Sequence, residues 1–98
     1  MERTSKSIVV APEFLAQENS QFDYLKEEFG IRTARNVTSQ VTRTIKYVAR
    51  YPYLGRPSYL SRGVRIVPVN GRNSLVYLTE SSRVVVLAMF QHVQGMAY

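Results

Sequence analysis

The sequence predicts an α+β fold of two layers, in the order strand, helix, helix, strand, strand, strand. Three observations carry this reading. The apolar period is helical from Glu13 to about Tyr51 and strand-like from Val64 onward. Proline and glycine punctuate the chain at Gly30 and again across YPYLGRP, residues 51–57. The apolar runs after that turn are joined by links too short for a crossover, so they pair as an antiparallel meander.

The elements follow in chain order. SIVVA, residues 7–11, is a short β-branched run and reads as a strand. Pro12 suits the first turn of a helix, and Gly30 suits its C-terminal cap. Between them Leu15, Phe22, Leu25 and Phe29 are spaced by seven, three and four residues, which predicts one inward helical face. A second helix is expected from about Arg32 to Tyr51, with Ala34, Val37, Val41, Ile45 and Val48 on its inner face. The two helices form a hairpin against one face of the sheet. Pro52 ends the second helix.

Within the turn, Pro52, Gly55 and Pro57 set the backbone, Tyr53 and Leu54 are expected to plug the gap between helix and sheet, and Arg56 is a candidate contact residue. The three strands span Val64 to Val69, Ser74 to Thr79 and Arg83 to Gln91. They are separated by Asn70-Gly71 and by Glu80-Ser81-Ser82. Pro68 places the first of them at an edge or a bulge, and the long run VVVLAMF places the last in the centre. All 98 residues form one domain, with no repeat and no linker.

Composition removes whole classes of chemistry. The chain has no cysteine, which excludes disulfides, thiolate metal sites and a cysteine nucleophile. One histidine among scattered carboxylates does not make a structural zinc site. No apolar run reaches the roughly 18 residues that a spanning helix needs. A cytoplasmic protein without metal or cofactor is expected.

Charge is more informative. The net charge is +6, and no acidic residue lies between Phe29 and Thr79. That stretch carries Arg32, Arg35, Arg43, Lys46, Arg50, Arg56, Arg62, Arg65 and Arg72. On the second helix Arg32, Arg35, Arg43, Lys46 and Arg50 fall opposite the apolar face. A cationic surface with nothing to neutralise it locally favours an anionic partner, and arginine suits planar bidentate contacts. Arg35, Arg43, Lys46, Arg50, Arg56 and Arg65 are the candidate binding residues.

No phosphate loop, paired carboxylate or hydrolase triad is present. Basic and aromatic groups on the predicted sheet remain: Arg65, Arg72, Tyr77, Arg83 and His92. Metal-free RNA cleavage needs a base, an acid and cations to stabilise the phosphorane, and Arg65, Tyr77, Arg83 and His92 are the candidates for those roles. Packing inside the strand is the competing role for Tyr77, and Arg72 beside Asn70-Gly71 reads as a solvated turn residue.

Four patterns together resemble the RelE/ParE superfamily of toxins from bacterial type II toxin–antitoxin systems, and its ParE-like branch above all. IVVAPEFLAQENSQFDYL is similar to the family's opening strand and first helix. TARNVTSQVTRTIKYVARYPYLGRP is similar to its second helix and Pro-x-Leu-Gly-Arg-Pro turn. GVRIVPV and SLVYLTESSRVVVLAMFQH are similar to its closing strands. The resemblance spans about residues 7–92.

It implies a plasmid- or chromosome-stabilising toxin that binds DNA gyrase and is silenced by an acidic antitoxin wrapping its surface. That would make it a poison and not an enzyme. The alternative it implies is a metal-independent, ribosome-dependent endoribonuclease of the RelE kind, or an inactive member that only binds its partner. Arg65, Tyr77 and His92 match family positions. Ser74, Ala88, Gln91 and Val93 depart from them, so the ribonuclease set is incomplete.

Overall fold

The computed structural model describes residues 5–59 and 61–91. The order is β1 (Ser7–Val10), α1 (Pro12–Phe29), α2 (Ile31–Arg50), β2 (Arg56–Pro57), β3 (Val64–Pro68), β4 (Asn73–Thr79) and β5 (Arg83–Gln91). The five strands form one sheet in the order β1-β5-β4-β3-β2. Strands β2 to β5 pair antiparallel, as short links require, but β1 pairs parallel to β5. The sheet is therefore mixed. The helical hairpin supplies the long connection that lets β1 lie beside the last strand in the same direction.

Helix ends follow the local chemistry. Pro12 occupies the first turn of α1, and Gly30 closes it at φ +98° with its N–H donating to the Lys26 carbonyl. That φ is strained for any residue with a Cβ. Because α2 starts at Ile31, this single glycine makes the whole turn between the helices. Tyr51 closes α2 through its N–H to the Tyr47 carbonyl, and Pro52 follows.

The core lies between the helices and one sheet face. Phe14, Val41 and Val48 pack against Val67, Leu75, Tyr77, Val84, Val86 and Met89. Strand β5 keeps its contribution on one side through a bulge. Val86 faces Tyr77 and Ala88 faces Val76, so Leu87 has no counterpart in β4. In an unbulged strand of the same sequence, Met89 would point away from Val84 and Val86. The opposite sheet face carries half-buried Ile66, Val76, Leu78 and Val85, and neither helix covers it. β5, expected in the centre, is an interior strand between β1 and the central β4, and the Pro68 end of β3 extends past the two-residue β2.

The inner face of α2 is the expected one, with Ala34, Val41 and Val48 buried. That of α1 is not. Phe14 and Gln21 are its buried residues, whereas Leu15 and Phe29 are 49% and 57% exposed. The face is turned by about one residue, or 100°. The cause is polar: the Gln21 carboxamide donates to Asn73 Oδ1 at 2.7 Å, so a paired amide takes a core position that an apolar count assigns elsewhere.

The β3–β4 turn also departs from expectation. Gly71 does not adopt positive φ, so this is not an Asn-Gly primed turn. Asn70 Oδ1 instead accepts from the N–H groups of Arg72 and Asn73.

Candidate functional site

YPYLGRP is held against the sheet by residues distant in sequence. Gly55 donates its N–H to the Tyr77 hydroxyl at 2.9 Å, and that hydroxyl donates to the Pro52 carbonyl at 2.9 Å. Arg65 Nη1 donates to the Gly55 carbonyl at 2.5 Å, with its guanidinium 4.8 Å from the centre of the Tyr53 ring. Arg65 stands opposite Tyr77 on one side and Pro57 on the other. Both backbone groups of Gly55 are thus bonded to side chains of the sheet. A Cβ at Gly55 would lie 2.8 Å from the Ile66 carbonyl oxygen and 2.8 Å from the Tyr77 hydroxyl, so the backbone could not approach this closely with any other residue.

The electrostatics follow from this packing. Burial pushes the Tyr77 pKa above its ordinary value, and the Gly55 N–H and the Arg65 charge pull partly the other way. The phenol is fully buried and stays neutral at physiological pH. Tyr53 and Leu54 do not plug the gap between helix and sheet, being 70% and 54% exposed. Pro52 and Tyr77 fill it, because a turn pinned from the sheet side turns its intervening side chains outward.

Of the four candidate catalytic residues, Arg65 and Tyr77 are neighbours. Arg83 is not with them. It begins β5 at the far end, opposite Ser7, and pairs with Glu80 across the β4–β5 turn. His92 lies outside the described residues. The candidate binding residues Arg35, Arg43, Lys46 and Arg50 are all exposed on the outer side of α2, and Arg56 is exposed on β2. Arg50 lies 5.8 Å from the centre of the Tyr51 ring. Among the described residues Arg83 and Glu80 form the one ion pair, so none of the α2 cations is neutralised.

A set of amides went unnoticed in the sequence. Asn70 donates to Gln40 Oε1 at 2.7 Å, Gln21 donates to Asn73, and Gln17 accepts the Met89 N–H at 2.8 Å. These amides join both helices to the β3–β4 turn and to β5. They line two grooves, of about 860 and 650 Å³, that share Gln21, Tyr24 and Gln91. Glu18, on α1, has its carboxyl pKa raised by burial. Amides leave no periodic trace, so only Asn70 carried a signal, as a turn residue.

Among solved structures the chain is similar to a protein of the chromosomal ParDE toxin–antitoxin system of P. aeruginosa, with TM-score 0.78 and 16% identity over 91% of this chain and 98% of that one. The fold is that of the ParE and YoeB toxins. The YoeB dimer of Staphylococcus aureus matches with TM-score 0.61 and 14% identity, over 92% of this chain and all of that one. A YoeB/ParE toxin of Agrobacterium tumefaciens matches with TM-score 0.59 and 16% identity, over 89% and 99%. No protein-family model and no curated sequence matches. This ParE/YoeB-type fold agrees with the resemblance read from the four sequence patterns.

Proposed function

We propose that the chain is the toxin of a bacterial type II toxin–antitoxin pair, acting in the cytoplasm by binding DNA gyrase and neutralised by a cognate antitoxin. The observation that carries the gyrase reading is the state of Tyr77. A general acid or base must reach the substrate proton it moves. The Tyr77 hydroxyl is buried, and both of its hydrogen bonds hold the YPYLGRP turn. Arg65 is committed to the same turn. The similarity to the ParDE protein, at TM-score 0.78 against 0.61 for the YoeB dimer, supports the same choice.

The second reading is a metal-independent, ribosome-dependent endoribonuclease using Arg65, Tyr77, Arg83 and His92. The similarity to YoeB and the adjacency of Arg65 and Tyr77 favour it. One preparation tests both, in a gyrase supercoiling assay and in translation with primer extension on the message. Loss of supercoiling with intact message is the expected result. Codon-phased cuts with normal supercoiling overturn it in favour of the nuclease. Activity in neither assay points to a member that only binds its partner.

A further inference from the structure

The outer side of α2 belongs to neither the turn nor the grooves' amide network. At 100° per residue Arg32, Arg43 and Arg50 lie within about 20° of one another, and Arg35 and Lys46 fall about 40–60° to one side. All five are exposed, and no acidic residue occurs on the helix. From Arg32 to Arg50 the stripe runs about 27 Å at 1.5 Å per residue. Its support is rigid, because Ala34, Val41 and Val48 anchor the opposite side of the helix in the core.

The charges come in two groups. Arg32 and Arg35 form the first, and Arg43, Lys46 and Arg50 the second. Eight residues, or about 12 Å, separate Arg35 from Arg43. That equals the width of the B-DNA major groove, about 12 Å between its phosphate walls. The side chains exposed between the two groups, Asn36, Ser39 and Thr42, are small and polar. They fit sugar–phosphate contacts, and the exposed Tyr47 stands about 60° to the other side of the line from Arg32 to Arg50.

We propose that the outer side of α2 docks across the major groove of duplex DNA, the two cation groups on opposite phosphate walls. Four of the five cations are arginines, which grip phosphate oxygens in pairs. With phosphate contacts predominating, binding is independent of base sequence, with Kd of about 10⁻⁴–10⁻⁶ M at physiological salt. The proposal stands on the helix and does not require gyrase to be the target. If gyrase is the target, the same stripe would hold the protein beside the DNA on which that enzyme works.

The test is fluorescence anisotropy of a short duplex DNA titrated with the purified chain, over about 50–200 mM salt. The expected slope of log K against log salt is about −4 to −5 for five phosphate contacts. Arg43→Glu with Arg50→Glu should lower affinity at least about tenfold. Arg43→Gln with Arg50→Gln should flatten the slope by about two, one per contact removed. Arg62→Glu with Arg72→Glu changes net charge equally at residues that are not part of the α2 stripe, and should leave binding within about twofold of the parent.

Thermal melts check that each variant is folded. Duplex RNA, whose major groove is deep and narrow, should bind more weakly. No binding at the lowest salt overturns the proposal. So does equal loss in the Arg62/Arg72 variant, equal affinity for duplex RNA, or binding to an acidic peptide but not to DNA.

Discussion

The YPYLGRP turn and the outer side of α2 are both lined by arginine, and the fold uses it in opposite ways. At the turn, Arg65 and Tyr77 bond to the backbone of Gly55 and Pro52, and Arg65 also lies over Tyr53. Along α2, Arg32, Arg35, Arg43, Lys46 and Arg50 point to solvent and form no ion pair with a described residue. Polar groups enclosed by the fold are bound to each other because an unpaired one is costly. Those facing water carry no such requirement and remain free for a partner. Residue type therefore says little about role here, and enclosure says a great deal.

Five variants bear on this contrast, the largest expected effect first. Tyr77→Ala should destabilise the protein by about 3–5 kcal/mol, since it empties a fully buried aromatic site. Tyr77→Phe isolates the hydroxyl. It strands the Gly55 N–H and the Pro52 carbonyl and should cost about 1–3 kcal/mol in a urea titration. If Tyr77→Phe is fully stable yet inactive, the hydroxyl acts on a substrate and the turn does not need it. Gly55→Ala should cost about 1–3 kcal/mol, because its Cβ meets the Ile66 carbonyl, which cannot rotate away. An unchanged melting temperature would mean that the turn is loosely seated.

A pH comparison comes fourth. Burial raises the Glu18 pKa above 4.5, so the folded state holds this proton more tightly than the unfolded chain does. The stability linked to the proton is complete below pH 4.5 and is lost as pH rises through the folded value. Glu18→Gln should therefore melt slightly higher than the parent at pH 7, with the difference shrinking toward acid. A constant offset across pH would trace the effect to packing instead of ionisation.

The smallest effect sharpens the contrast from its other side. Arg43→Glu with Arg50→Glu should change folding stability by no more than about 0.5 kcal/mol, as both side chains are exposed. A larger loss would show that the outer side of α2 serves the fold as the turn does.

The sequence by itself determined the architecture that depends on local chemistry. Gly30 and Pro52 bound the helices because a residue with a Cβ is strained at the positive φ that Gly30 adopts, and the residue before a proline is biased out of the helical region. The spacing of Ala34, Val41 and Val48 gave α2 its inner face and, by subtraction, its cationic outer one. Apolar patterning failed on α1, where the buried Gln21 is satisfied by Asn73, 52 residues away. It also missed β2, whose two residues form a strand only because β3 is there to pair with them.

The tertiary structure alone decided the roles of Arg65 and Tyr77. In sequence they are a basic and an aromatic residue in strands, equally suited to packing, binding or catalysis. Only the folded chain brings Gly55 within 2.9 Å of a hydroxyl 22 residues away. Hydrogen bonding is set by three-dimensional proximity, and spacing along the chain does not record it.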